Sequence, residues 1–563
     1  NGINGSVTNN IFTSWLNENT LTWNKRFNKN HILNVVGGFT LQKTKSLSDG
    51  FTANKIPNEG LGISGLDEGT PIVNVSSESE AALASFLGRI NYTLNSKYLF
   101  TASFRSDGSS KFASGNRWGY FPSGSVAWRI HEEKFMRKLS FVSEAKLRAS
   151  YGITGNNRVA DFAYLSVLRQ TGFTNGSGNS TPGYYFNNAH IPGSAPVEVG
   201  NKDLKWERTA QMDIGLDLGF LSNRINLTVD YYNKKTSDLL LLANLAASTG
   251  YLTGYKNIGK VSNQGLEFTL NTVNIDNKDF GWTTNFNIAF NKNKILELNY
   301  DQPSITTRVQ GWNDNFNNSL PYLAKPGLPV AMYLGYIFDG LYQVEDFNRL
   351  PNGSYSLKES VTNNGQDRTL IKPGYMKYKD INGDGIVDAN DQTLIGNPMP
   401  LHIGGFTNNF RYKGFDLSVF FQWSYGNDVL NANRLVFEGM EARPFLNMFK
   451  SWEDRWRPDN TDATLPVAGV TSPNVYSDRV IEDGSFLRLK TVALGYSLPD
   501  AWMKRIKIKS IRVYAAAQNL VTWTNYSGVD PEVSVRNSPL TPSFDWSAYP
   551  KARTITLGLN VTF

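Results

Sequence analysis

The sequence predicts an all-β protein, a large antiparallel transmembrane β-barrel with long loops at one end. Three observations carry that expectation. Strict two-residue alternation recurs along the 563 residues. The connections between alternating segments are by turns short and long. The last strand places Ile555, Leu557, Leu559, Val561 and Phe563 on one face and Thr554, Thr556, Gly558, Asn560 and Thr562 on the other. Such a strand needs apolar surroundings on one side and polar surroundings on the other. Lipid outside and a wet lumen inside supply both. A closing strand that ends on Phe is also the form of an outer-membrane assembly signal.

The elements follow in order. Phe86, Gly88, Ile90, Tyr92 and Leu94 alternate with Leu87, Arg89, Asn91 and Thr93. After a turn at Asn95, Ser96 and Lys97, Tyr98, Phe100, Ala102 and Phe104 alternate with Leu99, Thr101, Ser103 and Arg105, which makes a hairpin. Met212 to Leu218 and Ile225 to Tyr231 repeat the pattern around Ser222 and Asn223, and Trp282 to Phe290 repeats it again. The opposite faces carry Asp, Asn, Arg and Thr, which suit water. About fifteen segments have the roughly ten-residue length of a tilted membrane strand. They start near residues 11, 32, 85, 98, 118, 144, 206, 224, 261, 280, 402, 415, 486, 511 and 552.

Short turns fall near 28, 96, 222, 277 and 413, with longer ones at 131–143 and 499–509. The long connections are 47–82, 153–205, 236–258, 295–398, 426–482 and 525–551. Outer-membrane barrels keep short turns at the periplasmic rim and long loops outside. With Phe563 at the periplasmic rim, counting back starts the chain on the outer side. An odd strand number does not close a barrel of the usual even type, so N-terminal strands are expected on a segment outside this chain. Asn1 opens in a polar Gly/Asn stretch and no signal peptide precedes it, which fits a piece of a longer protein.

Composition narrows the function classes. No apolar run approaches the roughly 18 residues of a transmembrane helix. The mean hydropathy of −0.36 is compatible with strands that are apolar on one face only. The net charge of +7 is spread without a Lys/Arg block, so no nucleic-acid partner is expected. There is no cysteine, and His31, His131, His190 and His402 lie far apart. Neither a G-x-S-x-G elbow, nor a P-loop, nor a Ser/His/Asp grouping is present, so the chain is not expected to be an enzyme.

The sharpest local motif is the run 380–391, Asp-Ile-Asn-Gly-Asp-Gly-Ile-Val-Asp-Ala-Asn-Asp. It fits the twelve-residue calcium loop. Asp380, Asn382 and Asp384 occupy positions 1, 3 and 5, Gly385 the sharp turn, and Ile386 the backbone-carbonyl position. Asp388 and Asp391 fill positions 9 and 12, where Asp is shorter than the usual bidentate Glu. The expected ligands are therefore Asp380, Asn382, Asp384, Ile386, Asp388 and Asp391. The bland alternative is an Asx-rich turn without an ion. Loop 426–482 holds a helix candidate over 430–456, ended by Pro458. Trp312, Tyr322, Tyr333 and Tyr342 in the longest loop are candidates to stack on sugars or touch peptides, or else they pack the loop. Tyr496, Trp523 and Tyr526 read as interfacial girdle residues.

From about residue 105 onward the chain resembles the C-terminal part of SusC/RagA-type TonB-dependent outer-membrane transporters. The resemblance rests on Arg-Trp-Gly-Tyr-Phe-Pro-Ser at 117–123 with Ala-Trp-Arg at 127–129. It continues with Leu-Arg-Ala-Ser-Tyr-Gly-Ile-Thr-Gly-Asn at 147–156, Leu-Lys-Trp-Glu at 204–207, Asn-Ile-Gly at 257–259 and Asn-Gln-Gly-Leu-Glu at 263–267. The acidic loop, Leu-Arg-Leu-Lys-Thr-Val-Ala-Leu-Gly-Tyr-Ser-Leu-Pro at 487–499, Gln-Asn-Leu at 518–520 and Gly-Val-Asp-Pro-Glu at 528–532 complete it. It implies a barrel of about 22 strands, about seven more than are visible here, closed by an N-terminal plug. It also implies energy passed by TonB through that plug, a SusD-like surface lipoprotein over the mouth, and a location in a Gram-negative outer membrane. Neither a plug nor a TonB box is seen in this sequence. The implied function is active import of oligosaccharides or oligopeptides, with a passive outer-membrane porin as the alternative. The neutral polar lumen faces lean toward glycans. Loop 295–398, clipped by calcium, is the expected contact for the lipoprotein.

Overall fold

The computed structural model describes residues 3–171, 184–186, 189–191, 193–251, 253–298, 302–309, 320–440, 446–469, 476–535 and 538–563. Fifteen strands form one antiparallel sheet, hydrogen-bonded to each other in chain order. They are β1 (Ile3–Arg26), β2 (His31–Ile56), β3 (Thr70–Leu94), β4 (Tyr98–Ser109), β5 (Trp118–Arg129), β6 (Val142–Asn156), β7 (Glu207–Phe220) and β8 (Ile225–Ser237). β9 (Lys260–Asp276), β10 (Phe280–Glu297), β11 (His402–Tyr412), β12 (Phe415–Tyr425), β13 (Phe486–Ser497), β14 (Ser510–Thr524) and β15 (Thr554–Thr562) follow. β1 has β2 as its single neighbour and β15 has β14, so each leaves one edge without a strand among the described residues.

The register sets the two faces. Phe86 lies opposite Phe39, Ile90 opposite Val35, and Phe100 opposite Val126. These side chains continue one apolar face that points away from any protein core. On β15 one face carries Ile555 at 74%, Leu557 at 79% and Leu559 at 63% exposure. An apolar surface this continuous is a liability in water and a requirement in hydrocarbon. No described helix is long and apolar enough to cross a membrane.

The first three strands differ from expectation. β1, β2 and β3 run for 24, 26 and 25 residues, far beyond the roughly ten that span a bilayer. The expected long loop 47–82 is therefore mostly paired strand, with Leu47 opposite Glu78 and Asp49 opposite Ser76. What remains is the 3-10 segment Glu59–Glu68. The extension was hidden because Ser, Thr, Asp and Glu occupy both faces there, and alternation vanishes where both faces meet water. Lys43–Glu80 and Lys45–Glu78, each at 2.7 Å, lie across it.

By contacts the chain divides into two compact units, Asn1–Lys138 with Lys146–Ile214 and Asn233–Val261, and Leu139–Ala145 with Gly215–Tyr232 and Ser262–Phe563. In the first unit, Phe112, Phe121, Val159, Leu204 and Trp206 form a small core at the bases of the connections. Trp206 donates from Nε1 to the Arg117 carbonyl at 2.8 Å and meets Phe121 edge-on at 5.4 Å. Glu207 accepts from Asn156 Nδ2 at 3.1 Å. Asn257 exchanges side-chain hydrogen bonds with the Lys205 backbone at 2.8 and 2.9 Å. Motif residues from four separate stretches thus meet in one latch.

Candidate functional site

In the second unit the connections after β10, β12 and β14 fold into one body. Tyr322, Tyr333, Tyr378, Leu430, Trp456 and Phe544 belong to its shared hydrophobic core. At its centre Asp428–Asn431 pairs antiparallel with Ile481–Asp483 and parallel with Phe544–Asp545. Tyr333 sits at this junction, donating from Oη to the Ser543 carbonyl at 2.9 Å and accepting from Leu430 N at 3.2 Å. Tyr322 packs on it with ring centroids 5.2 Å apart and donates to the Pro542 carbonyl at 2.8 Å. Burial pushes both phenols far above their ordinary range.

Charge ties the same body together. Glu438 accepts from Arg434 Nε at 3.2 Å and also pairs with Arg479. Glu482 takes Arg434 Nη1 at 3.3 Å, and the backbone N–H and Oγ of Ser527 each at 2.8 Å. On β13, Arg488 is only 1% exposed. Its guanidinium reaches Asp530 at 2.6 Å and Glu532 at 3.3 Å, and Lys551 also pairs with Glu532. A buried guanidinium needs such partners, because its charge cannot shed a proton. The motif at 487–499 is thereby clamped to the motif at 528–532.

The acidic turn is ordered by its own carboxylates. Asp380 accepts from Gly383 N at 2.6 Å and Gly385 N at 2.8 Å. Asp384 accepts from Ile386 N at 2.9 Å, and Asn382 from Asp384 N at 2.9 Å. Gly383 and Gly385 hold φ of 76° and 84°, which other residues adopt at a cost. Asp391 is fully buried and accepts from Ile381 N at 2.7 Å, Asn382 N at 3.3 Å and Asp388 N at 2.8 Å. Burial alone pushes the Asp391 carboxyl up, but the N–H groups of Asp388, Ile381 and Asn382 outweigh it and hold the carboxyl below its ordinary value. Among the described residues no group of three or more His, Asp or Glu side chains gathers as a metal would require. An ion at 380–391 would draw also on the Asn382 side chain and the Ile386 carbonyl.

Several expectations are corrected. Tyr322, Tyr333 and Tyr342 present no face to a ligand, since all three are buried. Tyr342 donates to the Thr362 carbonyl at 2.7 Å inside a second core with Phe347 and Ile371. Trp312 lies outside the described residues. Tyr526 is no girdle residue: it is buried and donates to Asp545 Oδ2 at 2.6 Å. Trp523 stays half-exposed, and Tyr496 packs against Phe415 with ring centroids 4.4 Å apart. Among the described residues the helix candidate 430–456 shrinks to Ala432–Leu435, a π-turn at Val436–Met440 and a 3-10 turn at Lys450–Asp454. Gly439 and Pro444 stand inside that span, and both disfavour a continuous helix. Sequence reasoning missed Arg488, Arg434, Arg479, Glu438 and Glu482. The only signal was that Arg488 and Asp530 lay in two motifs of the same resemblance.

The family described as TonB dependent receptor-like, beta-barrel matches residues 1–390. The TonB-dependent receptor P3 of Formosa agariphila is 34% identical over 557 residues, covering 98% of this chain and 52% of the relative. The chain belongs to the TonB-dependent receptor β-barrel family. A second member, the TonB-dependent receptor SusC of Bacteroides thetaiotaomicron, is 33% identical over 491 residues, covering 85% of this chain and 44% of SusC. The RagAB peptide transporter structure superposes with a TM-score of 0.79 at 23% identity, over 100% of this chain and 56% of that one. That likeness establishes a shared barrel fold. The chain spans about half the length of the curated relatives it matches. These relatives are named as TonB-dependent receptors.

Proposed function

We propose that this chain forms most of the wall and the long-loop side of an outer-membrane importer of the SusC/RagA type. The observation that carries the reading is the sheet itself, apolar on one continuous face, with the connections of one end folded into a charged and aromatic body. In this reading the long-loop end faces outward and meets a SusD-like lipoprotein. A plug and further strands complete the barrel, and TonB supplies the energy through that plug. The cargo is an oligosaccharide or oligopeptide. Asn285 and Asn287 on β10, Thr407 and Asn409 on β11, and Ser418 and Gln422 on β12 share the face opposite Phe286, Phe406 and Phe421. Amides and hydroxyls recognise neutral hydrogen-bonding chains of either kind. Uptake of labelled glycan and peptide pools by cells carrying the full-length protein, with and without TonB, tests this. Uptake that persists unchanged without TonB, with liposome swelling, would replace the importer by a porin.

The turn 380–391 takes calcium in this reading. Asp380 and Asp391 have spare lone pairs beside their backbone hydrogen bonds, since a carboxylate offers about four acceptor sites. The side chains of Asp384 and Asp388 are exposed. The ion would clip the connection between β10 and β11 where it meets the lipoprotein. Asp380→Ala with Asp384→Ala should weaken lipoprotein association, and a complex equally stable in chelator would sink the idea.

A further inference from the structure

The connection from β13 to β14 carries a seven-residue α-helix, Asp500–Ile506, at the short-turn end of the sheet. Met503 is buried against β14. Trp502 and Ile506, four residues apart and so on one side of the helix, are left 57% and 51% exposed. Lys504, Arg505, Lys507 and Lys509 are all exposed. None of the four holds an ion pair among the described residues. Asp500 is the only acid in 498–509. The neighbouring turn adds exposed Lys413, and it is joined here by Ser497 N donating to the Gly414 carbonyl at 2.9 Å. The apolar face of the sheet reaches this rim as an aromatic collar of Tyr412, Phe415 and Tyr496. Lys509 N donates to the Thr562 carbonyl at 2.8 Å, which fixes the connection to β15.

A turn bathed in water has no reason to leave Trp and Ile outward. A turn in hydrocarbon could not hold five cations. The headgroup layer accommodates both, with the indole at the interface and the cations on phosphate. We propose that residues 498–509 are an interfacial anchor that binds the anionic phospholipid headgroups of the leaflet on the short-turn side. The proposal rests on the membrane reading above.

The test compares full-length protein with its Lys504→Gln/Lys507→Gln variant. Retention of phosphatidylglycerol and phosphatidylcholine in detergent is measured by native mass spectrometry, and insertion by flotation with phosphatidylcholine vesicles. Each basic residue near an anionic surface contributes about fivefold, so the double variant should lose about 25-fold in phosphatidylglycerol affinity. Phosphatidylcholine retention and vesicle insertion should not change, and Lys504→Arg/Lys507→Arg should behave as wild type. Equal phosphatidylglycerol retention by wild type and the Gln variant would overturn the anchor while leaving the barrel intact. Failure of wild type to enter vesicles would overturn the membrane reading, and the anchor with it.

Discussion

Arg488 shows how much one side chain can organise. It leaves the polar face of β13 and holds Asp530 and Glu532, which lie 42 and 44 positions further on. Removing the guanidinium leaves the nearly buried Asp530 without its cation, at a cost of about 3–5 kcal/mol, while Glu532 keeps Lys551. Arg488→Ala should therefore free the segment 526–535, read as faster proteolysis there and a lower melting temperature. Lys at 488 should restore little, because one ammonium cannot span two carboxylates in the fork geometry of guanidinium. Asp391 makes the order of its own turn depend on pH. Its carboxyl is held below the ordinary value in the folded turn. Its contribution is then fully present above the ordinary carboxylate range and is lost as pH falls through the lowered folded value. Hydrogen exchange of 380–391, corrected for intrinsic rates, should show the turn opening in acid, below about pH 4, in the wild type. In Asp391→Asn the turn should be looser at neutral pH and should open by less on acidification, since only Asp380, Asp384 and Asp388 remain to be protonated.

At the scale of elements, legibility followed environment. Strands expected near 32, 98, 118, 206, 224, 261, 280, 402, 415, 486 and 511 begin within a residue of those positions, because lipid and lumen impose alternation. Where both faces meet water, as in the outer parts of β1, β2 and β3, pairing continues without a pattern to announce it. The cross-strand pairs there are exposed, and exposed pairs contribute little to stability. Lys45→Ala should accordingly shift the melting temperature by little, in contrast to Arg488→Ala. That 380–391 forms an Asx-rich turn, the ion-free alternative, was legible from its spacing. The fate of the loop aromatics was not, because burial of Tyr333 depends on Leu430 and Ser543, residues about 100 and 210 positions away. Trp206 illustrates the same point in the first unit. It stood out as part of a motif, but its role against Phe112 and Phe121 appears only when the β4–β5 connection, β5 and the residue before β7 are brought together. Trp206→Ala should cost about 3–5 kcal/mol, measured as a fall in thermal stability of the full-length protein.

At the scale of the whole molecule, the two unpaired edges decide what this sheet requires. The Ile3–Arg26 edge of β1 and the Thr554–Thr562 edge of β15 each present a row of backbone N–H and C=O groups without a strand among the described residues. In hydrocarbon each unsatisfied group costs several kcal/mol, so barrels in membranes are closed. Among the described residues β1 is hydrogen-bonded to β2 alone and β15 to β14 alone. In the importer proposed above, closure comes from strands supplied between them; the chain spans 52% of the Formosa relative. The consequence is measurable. Full-length protein should migrate as a compact, SDS-resistant species until it is boiled, as closed barrels do. Residues 1–563 produced alone should show no such species and should aggregate through β1 and β15. A heat-modifiable, monomeric band from residues 1–563 alone would mean that the sheet closes on itself and that the fifteen strands suffice.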